Sequence, residues 1–344
     1  MSDKIRVAIN GFGRIGRSAF KIALEHQDEI EVVAINDLGQ ADYAAYLLKY
    51  DTVYGTYDKV VKASKDHVEV DGKRYPMVSI PGVDKLPWKE YQVDVVLECT
   101  GAFTKAADVR KHITAGAKAA IISAPAKGDD PIGTYVIGAN ADQLDPTKEN
   151  IFSNASCTTN CIAPVMALMH SHFTVLKSLM TTVHAYTATQ ALVDGGKAKD
   201  WRESRAAALN IIPTSTGAAK ATALTIPDLK GKFDGISMRV PVAVGSISDV
   251  TMLVGKKTSV EEINAMFTKA AQENPMYKGV LAVTEEPLVS ADIIGSTFSA
   301  IVDLPLTRVI DGDLVKVVAW YDNEWGYSNR LVEQAINVGK QLRG

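Results

Sequence analysis

Two of the chain's three cysteines, Cys157 and Cys161, lie four positions apart in the stretch S-N-A-S-C-T-T-N-C. Redox pairs favour two intervening residues and zinc sites two to four, so the spacing alone does not assign a function. A single reactive thiol at the start of a helix explains Cys157, because the helix dipole there favours the thiolate. Cys161, one turn later, is then a small apolar packing residue, and Cys99, in the run V-V-L-E-C-T, is a core residue by default. We interpret Cys157 as a nucleophile and expect no metal site.

A nucleophilic thiol needs a base, and His184 is the strongest candidate. It ends the hydrophobic run L-M-T-T-V-H, 27 residues after Cys157, so a helix and a returning strand can bring it back beside the thiol. A buried histidine with satisfied hydrogen bonds is the alternative for this residue taken alone. The other histidines are predicted at positions that do not suit a catalytic base. His26 and His112 are expected on surface helices, His67 in a polar hairpin, and His170 and His172 at a helix end.

A phosphate-binding turn is predicted at G-F-G-R-I-G, between a strand and a helix. Gly11 permits the tight turn, Gly13 lets a pyrophosphate approach the backbone, and Gly16 lets helix and strand pack closely. Asp37, at the end of the next strand, suits the adenosine ribose hydroxyls and would repel a 2′-phosphate, which favours NAD over NADP. A plain strand–turn–helix is the alternative, but the full context fits a dinucleotide site.

A thiolate, a base and a nicotinamide cofactor together indicate the oxidation of an aldehyde. Attack by the thiolate of Cys157 gives a tetrahedral thiohemiacetal, whose C–H can pass a hydride to the nicotinamide and leave a thioester. His184 takes the hydroxyl proton in that step and, as an imidazolium, is expected to stabilise the thiolate beforehand. Water or phosphate then decides the fate of the thioester.

The elements that must position these groups divide into two types along the chain. In the first half, short apolar runs alternate with helical stretches, which predicts a doubly wound, mostly parallel sheet of Rossmann type. Residues 60–80, with Asp71-Gly72 at their centre, predict an antiparallel hairpin added to that sheet. The predicted strands are Lys4–Asn10, Glu31–Asn36, Val93–Glu98 and Ala119–Ser123, and the predicted helices are Arg14–Glu25 and Lys105–Ala115.

After residue 157 the pattern changes to longer runs rich in Val, Ile and Thr, typical of an antiparallel sheet in an α+β domain. A capping box at Ser259–Glu262 opens a helix expected to reach about Gln272. The predicted strands are Leu179–Thr187, Ile236–Val244, Ile247–Val254, Gly295–Asp303 and Arg308–Trp320. The last run contains Asp311-Gly312, a second hairpin signal. Helices are predicted at about Thr158–Ser171 and at Ser328–Leu342, the latter closing the chain.

The composition excludes several classes of protein. With 344 residues, 47% hydrophobic and 22% charged, the chain has enough apolar material for about two folded domains. A net charge of −3 gives no electrostatic footprint for nucleic acid or a membrane surface. The three cysteines form no disulfide framework, and we find neither a signal peptide nor an apolar run of membrane-spanning length. We therefore expect a soluble cytoplasmic protein.

Several long motifs, in the same order along the chain, carry a family resemblance: I-N-G-F-G-R-I-G-R, S-N-A-S-C-T-T-N-C, T-T-V-H-A-Y-T, P-T-S-T-G-A-A-K and W-Y-D-N-E-W-G-Y-S. Over essentially its whole length the sequence resembles the phosphorylating glyceraldehyde-3-phosphate dehydrogenases. The resemblance implies conversion of glyceraldehyde 3-phosphate and phosphate to 1,3-bisphosphoglycerate with reduction of NAD, in glycolysis or gluconeogenesis. It also implies a homotetramer. The implied NAD domain covers residues 1–156 with 323–344, and the catalytic domain covers 157–322 with a crossing loop at about 186–209.

The resemblance implies a role for each matching residue. Cys157 is the nucleophile and His184 activates it. The implied cofactor contacts are Arg14 and Ile15 with the pyrophosphate, Asp37 with the adenosine ribose, Ser123 near the nicotinamide half, and Asn323 with the carboxamide. The implied anion contacts are Thr187 and Arg239 with the substrate phosphate, and Ser156, Thr216 and Gly217 with inorganic phosphate, with Thr158 beside the thiol. Paired hydroxyls, a guanidinium fork and turn amides suit two such anions.

The chain departs from the family pattern at three places. It has Asp194-Gly195-Gly196 where NAD-selective members commonly have a proline, which opens the question of NADP use. It has Ile80 where many members have an arginine near the adenine, and weaker adenine packing is the expected effect. The stretch V-A-V-G-S-I-S-D-V, residues 242–250, also differs and has no functional account from sequence.

Three alternatives stay open from the sequence. One is a related dehydrogenase of erythrose 4-phosphate, whose thioester goes to water, and another is an enzyme that uses both NAD and NADP. The third is a non-catalytic relative that binds NAD, or that binds RNA through a basic patch in the crossing loop. The loop's basic residues are Lys197, Lys199, Arg202 and Arg205, and its acidic residues Asp194, Asp200 and Glu203 dilute them. We therefore favour a solvated interface loop and expect no nucleic acid.

Overall fold

The structure is a computed structural model that describes residues 4–196 and 200–344. The described chain divides into two units, each built around its own sheet. Unit 1 takes the residues up to Tyr135, Asp142–Ala155 and Ser328–Gly344, and unit 2 takes Val136–Ala141 and Ser156–Tyr327.

Unit 1 alternates strands and helices over its first part. Its elements in chain order are β1 (Ile5–Asn10), α1 (Arg14–Glu25), β2 (Ile30–Asn36), α2 (Ala41–Lys49), β3 (Tyr50–Asp51), β4 (Gly55–Thr56), β5 (Val61–Ser64), β6 (His67–Val70), β7 (Lys73–Val78), β8 (Val95–Glu98), α3 (Ala106–Thr114), β9 (Ala119–Ile122), β10 (Gly133–Thr134) and β11 (Ile151–Ser153).

The main sheet of unit 1 is mostly parallel and has the order β10-β11-β9-β8-β1-β2-β7-β6-β5. Its central strands β8 and β9 are buried at every position, as expected of parallel strands covered on both faces. Strands β5, β6 and β7 form an antiparallel extension at one edge. The β6–β7 turn has Asp71 and Gly72 at φ of +50° and +84°, a conformation that the Asp-Gly pair tolerates.

Unit 2 begins with a long helix and continues with the second sheet. Its elements are α4 (Cys157–Phe173), β12 (Val175–Ala185), β13 (Ile212–Ser215), α5 (Ala218–Thr225), β14 (Phe233–Val240), β15 (Ser246–Val254), α6 (Val260–Glu273), β16 (Leu281–Thr284), β17 (Ala300–Asp303), β18 (Arg308–Ile310) and β19 (Leu314–Tyr321). The closing helix α7 (Trp325–Gln341) starts in unit 2 and continues in unit 1.

The sheet of unit 2 is mainly antiparallel, with the order β13-β14-β12-β15-β19-β17-β16 and β18 beside β19. The pairs β12–β14 and β16–β17 are parallel. Strand β15 alternates buried and half-buried residues, so one face of the sheet carries the core. Apolar residues of α4 and α6, among them Ile162, Met166 and Phe267, are fully buried in that core.

The predicted fold class is confirmed, with a mostly parallel sheet in one half and a mainly antiparallel sheet in the other. Ser259 is the N-cap of α6, because its hydroxyl accepts a hydrogen bond from the Glu262 amide at 3.2 Å, which is one of the two bonds of the predicted capping box. The run Arg308–Trp320 is two antiparallel strands, β18 and β19, joined at Asp311-Gly312, the position of the predicted hairpin turn. Helix α2 is an element that we did not predict. None of the helices in the described ranges is long and apolar enough to cross a membrane.

Candidate active site

Cys157 is the first residue of α4, as predicted. The preceding Ser156 has an extended backbone, and its hydroxyl accepts a hydrogen bond from the Thr159 amide at 3.1 Å. A serine in this position satisfies an amide that the first helical turn leaves without a partner. The local sequence therefore fixes the start of the helix and with it the position of the thiol, which is half-buried.

His184 lies in β12 and reaches the same thiol. Its Nε2 atom is 3.4 Å from Sγ of Cys157, although 27 residues separate the two in sequence. Helix α4 runs away from the site and β12 returns to it, the path that the sequence predicted. His184 is 4% exposed, so the pair is shielded from bulk water on the side of the ring.

Arg239 contacts the other nitrogen of the His184 ring. The two residues are register partners on the parallel strands β12 and β14, and Nη1 of Arg239 lies 2.6 Å from Nδ1 of His184. The carbonyl oxygen of Ala185 lies 2.7 Å from the same Nδ1 and 3.1 Å from Nη1. A neutral ring has one N–H, so Nδ1 either donates to Ala185 or accepts from Arg239.

The two hydrogen-bonding states of Nδ1 have different chemical consequences. When Nδ1 donates its proton to the carbonyl of Ala185, Nε2 has a free lone pair and can take the proton of the Cys157 thiol. When Nδ1 accepts from the guanidinium of Arg239, the ring proton is on Nε2 and points towards Sγ. The position of Arg239 therefore controls whether His184 can act as a base.

Burial favours the neutral form of both groups. Burial, together with the guanidinium of Arg239, lowers the pKa of His184 to about 3. Burial raises the pKa of Cys157, although the charge of Arg239 and the hydroxyl of Thr158 act in the opposite direction. Burial and the neighbouring cation both act against the expected imidazolium, and the charge of Arg239 at the same time favours the thiolate of Cys157.

Tyr321 also contacts this site, although the sequence gave no indication of it. Its hydroxyl lies 2.9 Å from the hydroxyl oxygens of both Thr158 and Thr182, and its ring meets the ring of His184 edge to face at 5.9 Å. Burial raises the pKa of Tyr321, so it remains a phenol. The motif W-Y-D-N-E contained Tyr321, but its spacing gave no indication of contact with α4.

Apart from Ser156 and Thr158 at the start of α4, the predicted anion-binding residues lie at the ends of three elements of unit 2. Arg239 is near the end of β14 and Thr187 follows β12, so both lie at the same edge of the parallel strand pair. Thr216 and Gly217 precede α5, and the Thr216 hydroxyl accepts from the Ala218 amide at 3.2 Å. A Cβ atom on Gly217 would meet nothing within 4 Å, so this turn faces open space.

Asn323 is oriented by the stretch 242–250, for which the sequence gave no functional account. Its side-chain oxygen accepts hydrogen bonds from the Gly245 amide at 3.1 Å and from the Ser246 hydroxyl at 2.9 Å. Ser246 also accepts from the Ala185 amide at 3.1 Å, next to His184. Gly245 has a φ of +96°, and a Cβ there would lie 2.2 Å from the carbonyl oxygen of Ser290. Only glycine fits this position.

The predicted phosphate-binding turn lies in unit 1, beside a cavity of about 370 Å³. Gly11 has a φ of +93°, and a Cβ on it would lie 2.7 Å from the Thr100 amide nitrogen. A Cβ on Gly16 would lie 2.1 Å from the Gly11 carbonyl oxygen, whereas one on Gly13 would meet nothing within 4 Å. The open space at Gly13, next to the start of α1, fits an approaching pyrophosphate.

The other predicted cofactor residues of unit 1 surround or follow that turn. Asp37 lines the cavity, and its carboxylate accepts from the amides of Phe12 at 2.6 Å and Gly39 at 2.8 Å. Arg14 donates to Asp51 at 2.5 Å, and Ile15 is the next residue of α1. The Ser123 amide donates to the Glu98 carbonyl oxygen at 2.9 Å, at the end of β9.

Two predictions about residues near this cavity need correction. His112, expected on the surface of a helix, is fully buried because α3 turns this face towards the sheet, where the ring lies 2.9 Å from Glu98. Cys99, expected to be a core residue, is half-buried and lines the cavity. Cys161 is fully buried, as expected.

The crossing loop is described apart from residues 197–199, so Lys197 and Lys199 lie outside the described residues. Gly195 and Gly196 have φ of +136° and +94°, and the Gly195 amide donates to the Ser204 carbonyl oxygen at 2.9 Å. Proline has neither that φ nor an amide hydrogen, so it cannot replace either glycine in this conformation.

Comparisons with known proteins agree with this geometry. Residues 5–106 match the family model described as "Glyceraldehyde 3-phosphate dehydrogenase, NAD binding domain", and residues 156–323 match that described as "Glyceraldehyde 3-phosphate dehydrogenase, C-terminal domain". A glyceraldehyde-3-phosphate dehydrogenase of Streptomyces avermitilis is 52% identical over 98% of this chain and 99% of its own length. A glyceraldehyde-3-phosphate dehydrogenase of Geobacillus stearothermophilus is 50% identical over 98% of this chain and 99% of its own length. A chloroplastic glyceraldehyde-3-phosphate dehydrogenase of Arabidopsis thaliana is 50% identical over 99% of this chain and 85% of its own length.

Proposed function

The chain belongs to the glyceraldehyde 3-phosphate dehydrogenase family, and from this premise we propose that Cys157 and His184 carry out its reaction. That reaction is the NAD-dependent oxidation of glyceraldehyde 3-phosphate, with phosphate, to 1,3-bisphosphoglycerate. The observation that supports these two roles is the 3.4 Å distance between Sγ of Cys157 and Nε2 of His184. A thiol at this distance can pass its proton directly to the imidazole.

The first step forms the carbon–sulfur bond. With Nδ1 bonded to Ala185, Nε2 of His184 takes the thiol proton, and the sulfur of Cys157 attacks the aldehyde carbon. The imidazolium then returns the proton to the new alkoxide, which gives a neutral thiohemiacetal. Burial and the charge of Arg239 lower the pKa of His184, which favours the neutral ring that can act as a base.

His184 accepts a proton in the second step and returns it in the third. NAD, when bound, supplies the acceptor for the hydride that leaves the thiohemiacetal carbon. His184 takes the hydroxyl proton as the carbonyl forms, so the product on Cys157 is a thioester and the ring is an imidazolium. Phosphate attacks the thioester carbon, the carbon–sulfur bond breaks, and the imidazolium returns its proton to the departing thiolate.

We further propose that the substrate's phosphate draws Arg239 away from His184. A dianion paired with the guanidinium cancels the positive charge that now opposes protonation of the ring, so the pKa of His184 rises when substrate binds. The same event releases Nδ1 to donate to Ala185. Activation of the base is thereby linked to recognition of a phosphorylated aldehyde.

The remaining site roles are proposed on the family pattern and the geometry given above. The proposed substrate-phosphate residues are Thr187 and Arg239. The proposed inorganic-phosphate residues are Ser156, Thr158, Thr216 and Gly217. The proposed cofactor residues are Gly11, Gly13, Arg14, Ile15, Gly16, Asp37, Ser123 and Asn323. Accordingly, we assign NAD binding to residues 1–156 with 323–344 and catalysis to 157–322.

The test of this function is the dependence of NADH formation on phosphate. With glyceraldehyde 3-phosphate, NAD and phosphate, or arsenate in its place, the purified protein should form NADH continuously. Without either anion, turnover should stop after the thioester has accumulated. Continuous turnover without phosphate would favour the second candidate, a dehydrogenase of erythrose 4-phosphate, whose thioester is hydrolysed by water.

NADP use is a separate question raised by the crossing loop. Asp37 favours NAD, because its carboxylate faces the ribose end of the proposed site and repels a 2′-phosphate. Gly195 and Gly196 leave the loop without the proline of NAD-selective members. We propose NAD selectivity, to be measured as kcat/KM for the two cofactors. A marked preference for NADP would contradict the role of Asp37.

We also propose a homotetramer in the cytoplasm. Large apolar side chains of unit 2 are exposed in the single chain, including Leu179 on β12 and Trp201, Leu192 and Leu209 in the crossing loop. Large apolar side chains that are exposed in a single chain are often covered at subunit interfaces. Sedimentation velocity should give one species of four chains, and Leu179→Asp should dissociate it. All three cysteines are unpaired, in accord with a reducing compartment, and cell fractionation tests the location.

A further inference from the structure

A buried carboxylate next to the dinucleotide cavity accepts four hydrogen bonds. Glu98, at the end of β8, is 2% exposed. Its Oε1 accepts from the Thr100 amide at 2.8 Å and from the Thr100 hydroxyl. Its Oε2 accepts from the side-chain amide of Asn10 at 2.5 Å and lies 2.9 Å from Nε2 of His112. The four lone-pair positions of the carboxylate are thus all in use.

This arrangement defines the charge of each member. A carboxyl group with four donors around it has no place for its own proton, so Glu98 is ionised. The indole N–H of Trp88 donates to Nδ1 of His112 at 2.9 Å, so Nδ1 carries a lone pair and the ring is neutral, with its proton on Nε2. Glu98 is therefore a negative charge held by four neutral donors in the interior of unit 1.

A chain of hydrogen bonds runs from Glu98 through Asn10 and Asn36 to the wall of the cavity. Asn10 donates to Glu98, so its oxygen is free to accept from the side-chain amide of Asn36 at 2.7 Å. Asn36 also donates to the Ile80 carbonyl oxygen at 3.1 Å and accepts from the Ile80 amide at 2.9 Å. If either amide rotated by 180°, two N–H groups would face each other, so the carboxylate sets the orientation of the whole chain.

The outer members of this network line the cavity and the inner ones do not. Asn10, Asn36, Ile80 and Thr100 are lining residues, whereas Glu98 lies behind them. They come from the ends of β1 and β2, the loop after β7 and the loop after β8, the positions where a parallel sheet binds ligands. The network therefore joins four segments at this end of the sheet through side-chain hydrogen bonds.

We propose that Glu98 is a positioning residue for the cofactor, which sets the polar wall of the dinucleotide cavity through Asn10, Asn36 and Thr100. The inference rests on the proposed function only in that this cavity receives NAD. It goes beyond that function because Glu98 touches neither the cofactor nor the reacting atoms. Trp88 belongs to the same network, because its bond to Nδ1 of His112 keeps the ring proton on Nε2, where it is donated to Glu98.

Glu98→Gln tests the proposal by changing one oxygen into an amino group of nearly the same size. That amino group faces two donors, and a donor without an acceptor in the interior is costly. By isothermal titration with NAD and no substrate, we expect the Kd to rise at least about tenfold. The kcat at saturating NAD should fall by a smaller factor. Alkylation of Cys157 without NAD should proceed at the wild-type rate, since it reports on unit 2.

Glu149→Gln is the matched control. Glu149 is also a carboxylate of unit 1 that accepts from a neutral hydroxyl, that of Tyr135, but it does not line or adjoin the cavity residues named above. The Kd for NAD should change less than about twofold in this variant. An equal loss in both variants would show a general effect of carboxylate removal and overturn the proposal.

A double mutant tests whether Glu98 acts through the chain. Asn36→Ala removes the tether of Ile80 and leaves all four donors of Glu98 in place. If Glu98 acts through Asn36, the combined variant should weaken NAD binding by less than the product of the two single effects. If the loss of NAD binding in the double variant equals the product of the two single fold-changes, the two residues act independently, and the proposal is contradicted.

The outcomes separate this inference from the proposed function. If the wild-type protein does not bind NAD, the proposed function itself fails. If the wild type binds NAD and Glu98→Gln binds it equally well, only the inference fails. Should Glu98→Gln not fold, His112→Leu replaces it, because it removes one donor without changing a lining residue. The Kd for NAD should then rise several-fold, and an unchanged Kd would contradict the proposal.

Discussion

The guanidinium of Arg239 lies against the ring of His184, with Nη1 2.6 Å from Nδ1. The two side chains are paired in register on β12 and β14, so the strands themselves hold the contact. Sγ of Cys157 contacts the other ring nitrogen, Nε2, so the imidazole of His184 connects the thiol to the proposed anion site. The protonation of His184 is therefore coupled to what Arg239 binds.

Arg239→Met should raise the pKa of His184. The guanidinium opposes protonation of the ring, and a methionine of similar length fills the space without a charge. NMR titration of the histidine should show His184 titrating well above pH 3 in the variant. Arg205→Met is the control, because Arg205 pairs with Asp194 in the crossing loop. A pKa near 3 in both variants would show that burial alone depresses it.

The depressed pKa of His184 should also appear in stability. Its pKa is about 3 in the folded protein and about 6.5 in the unfolded chain, so the unfolded chain binds the proton first as the pH falls. The stability linked to this residue is complete above about pH 6.5 and is lost between about pH 6.5 and pH 3.

Urea unfolding at several pH values measures this loss. Relative to a His184→Asn variant, the wild-type protein should lose a few kcal/mol of unfolding free energy between about pH 6.5 and pH 4. Parallel curves for the two proteins would mean that His184 titrates normally in the folded state. The variant also controls for every other group that titrates in the range.

Cys157→Ser should reduce dehydrogenase turnover by about a thousandfold or more, because a serine hydroxyl is a much weaker nucleophile than a thiolate at neutral pH. Binding of NAD in the absence of substrate should be unchanged, since the dinucleotide cavity is built from unit 1 residues. Cys161→Ser serves as the control, as Cys161 packs in the core away from the reaction. Substantial steady turnover by Cys157→Ser would refute the covalent mechanism.

Gly13 and Gly16 offer a contrast within one turn. Gly13→Ala places a methyl group in open space, so the fold should be unaffected while NAD binds at least several-fold more weakly. Gly16→Ala places the methyl group 2.1 Å from the Gly11 carbonyl oxygen, so the thermal midpoint should fall. Calorimetry and NAD titration distinguish the two effects. A Gly13→Ala protein that binds NAD normally would contradict the position of the pyrophosphate.

The sequence predicted the frame of the site because its signals are local. Helix α1, for instance, has the predicted bounds Arg14–Glu25, since glycines before it and polar residues after it mark both ends. The pairing of Cys157 with His184 also followed from a helix and a returning strand. Helix α2 was missed although its buried residues Ala41, Ala44, Ala45 and Leu48 have helical spacing.

What the sequence did not predict are contacts between distant segments. His112 was assigned to a surface because helix α3 is polar overall, and nothing in its neighbourhood indicated Glu98 or Trp88 as partners. The role of Gly245 and Ser246 in orienting Asn323 likewise depends on strands that meet only in the folded sheet. The lowered pKa of His184 was not predicted for the same reason, because one of its causes, the charge of Arg239, comes from another strand.

The most direct test of the central claim is to identify the acylated residue. The protein is mixed with glyceraldehyde 3-phosphate and NAD without phosphate, quenched in acid and digested for mass spectrometry. The account predicts one acyl group per chain, derived from the substrate, on Cys157, and its disappearance when phosphate is added before the quench. An acyl group on Cys161 or Cys99, or continued NADH formation with no acylated cysteine, would contradict it.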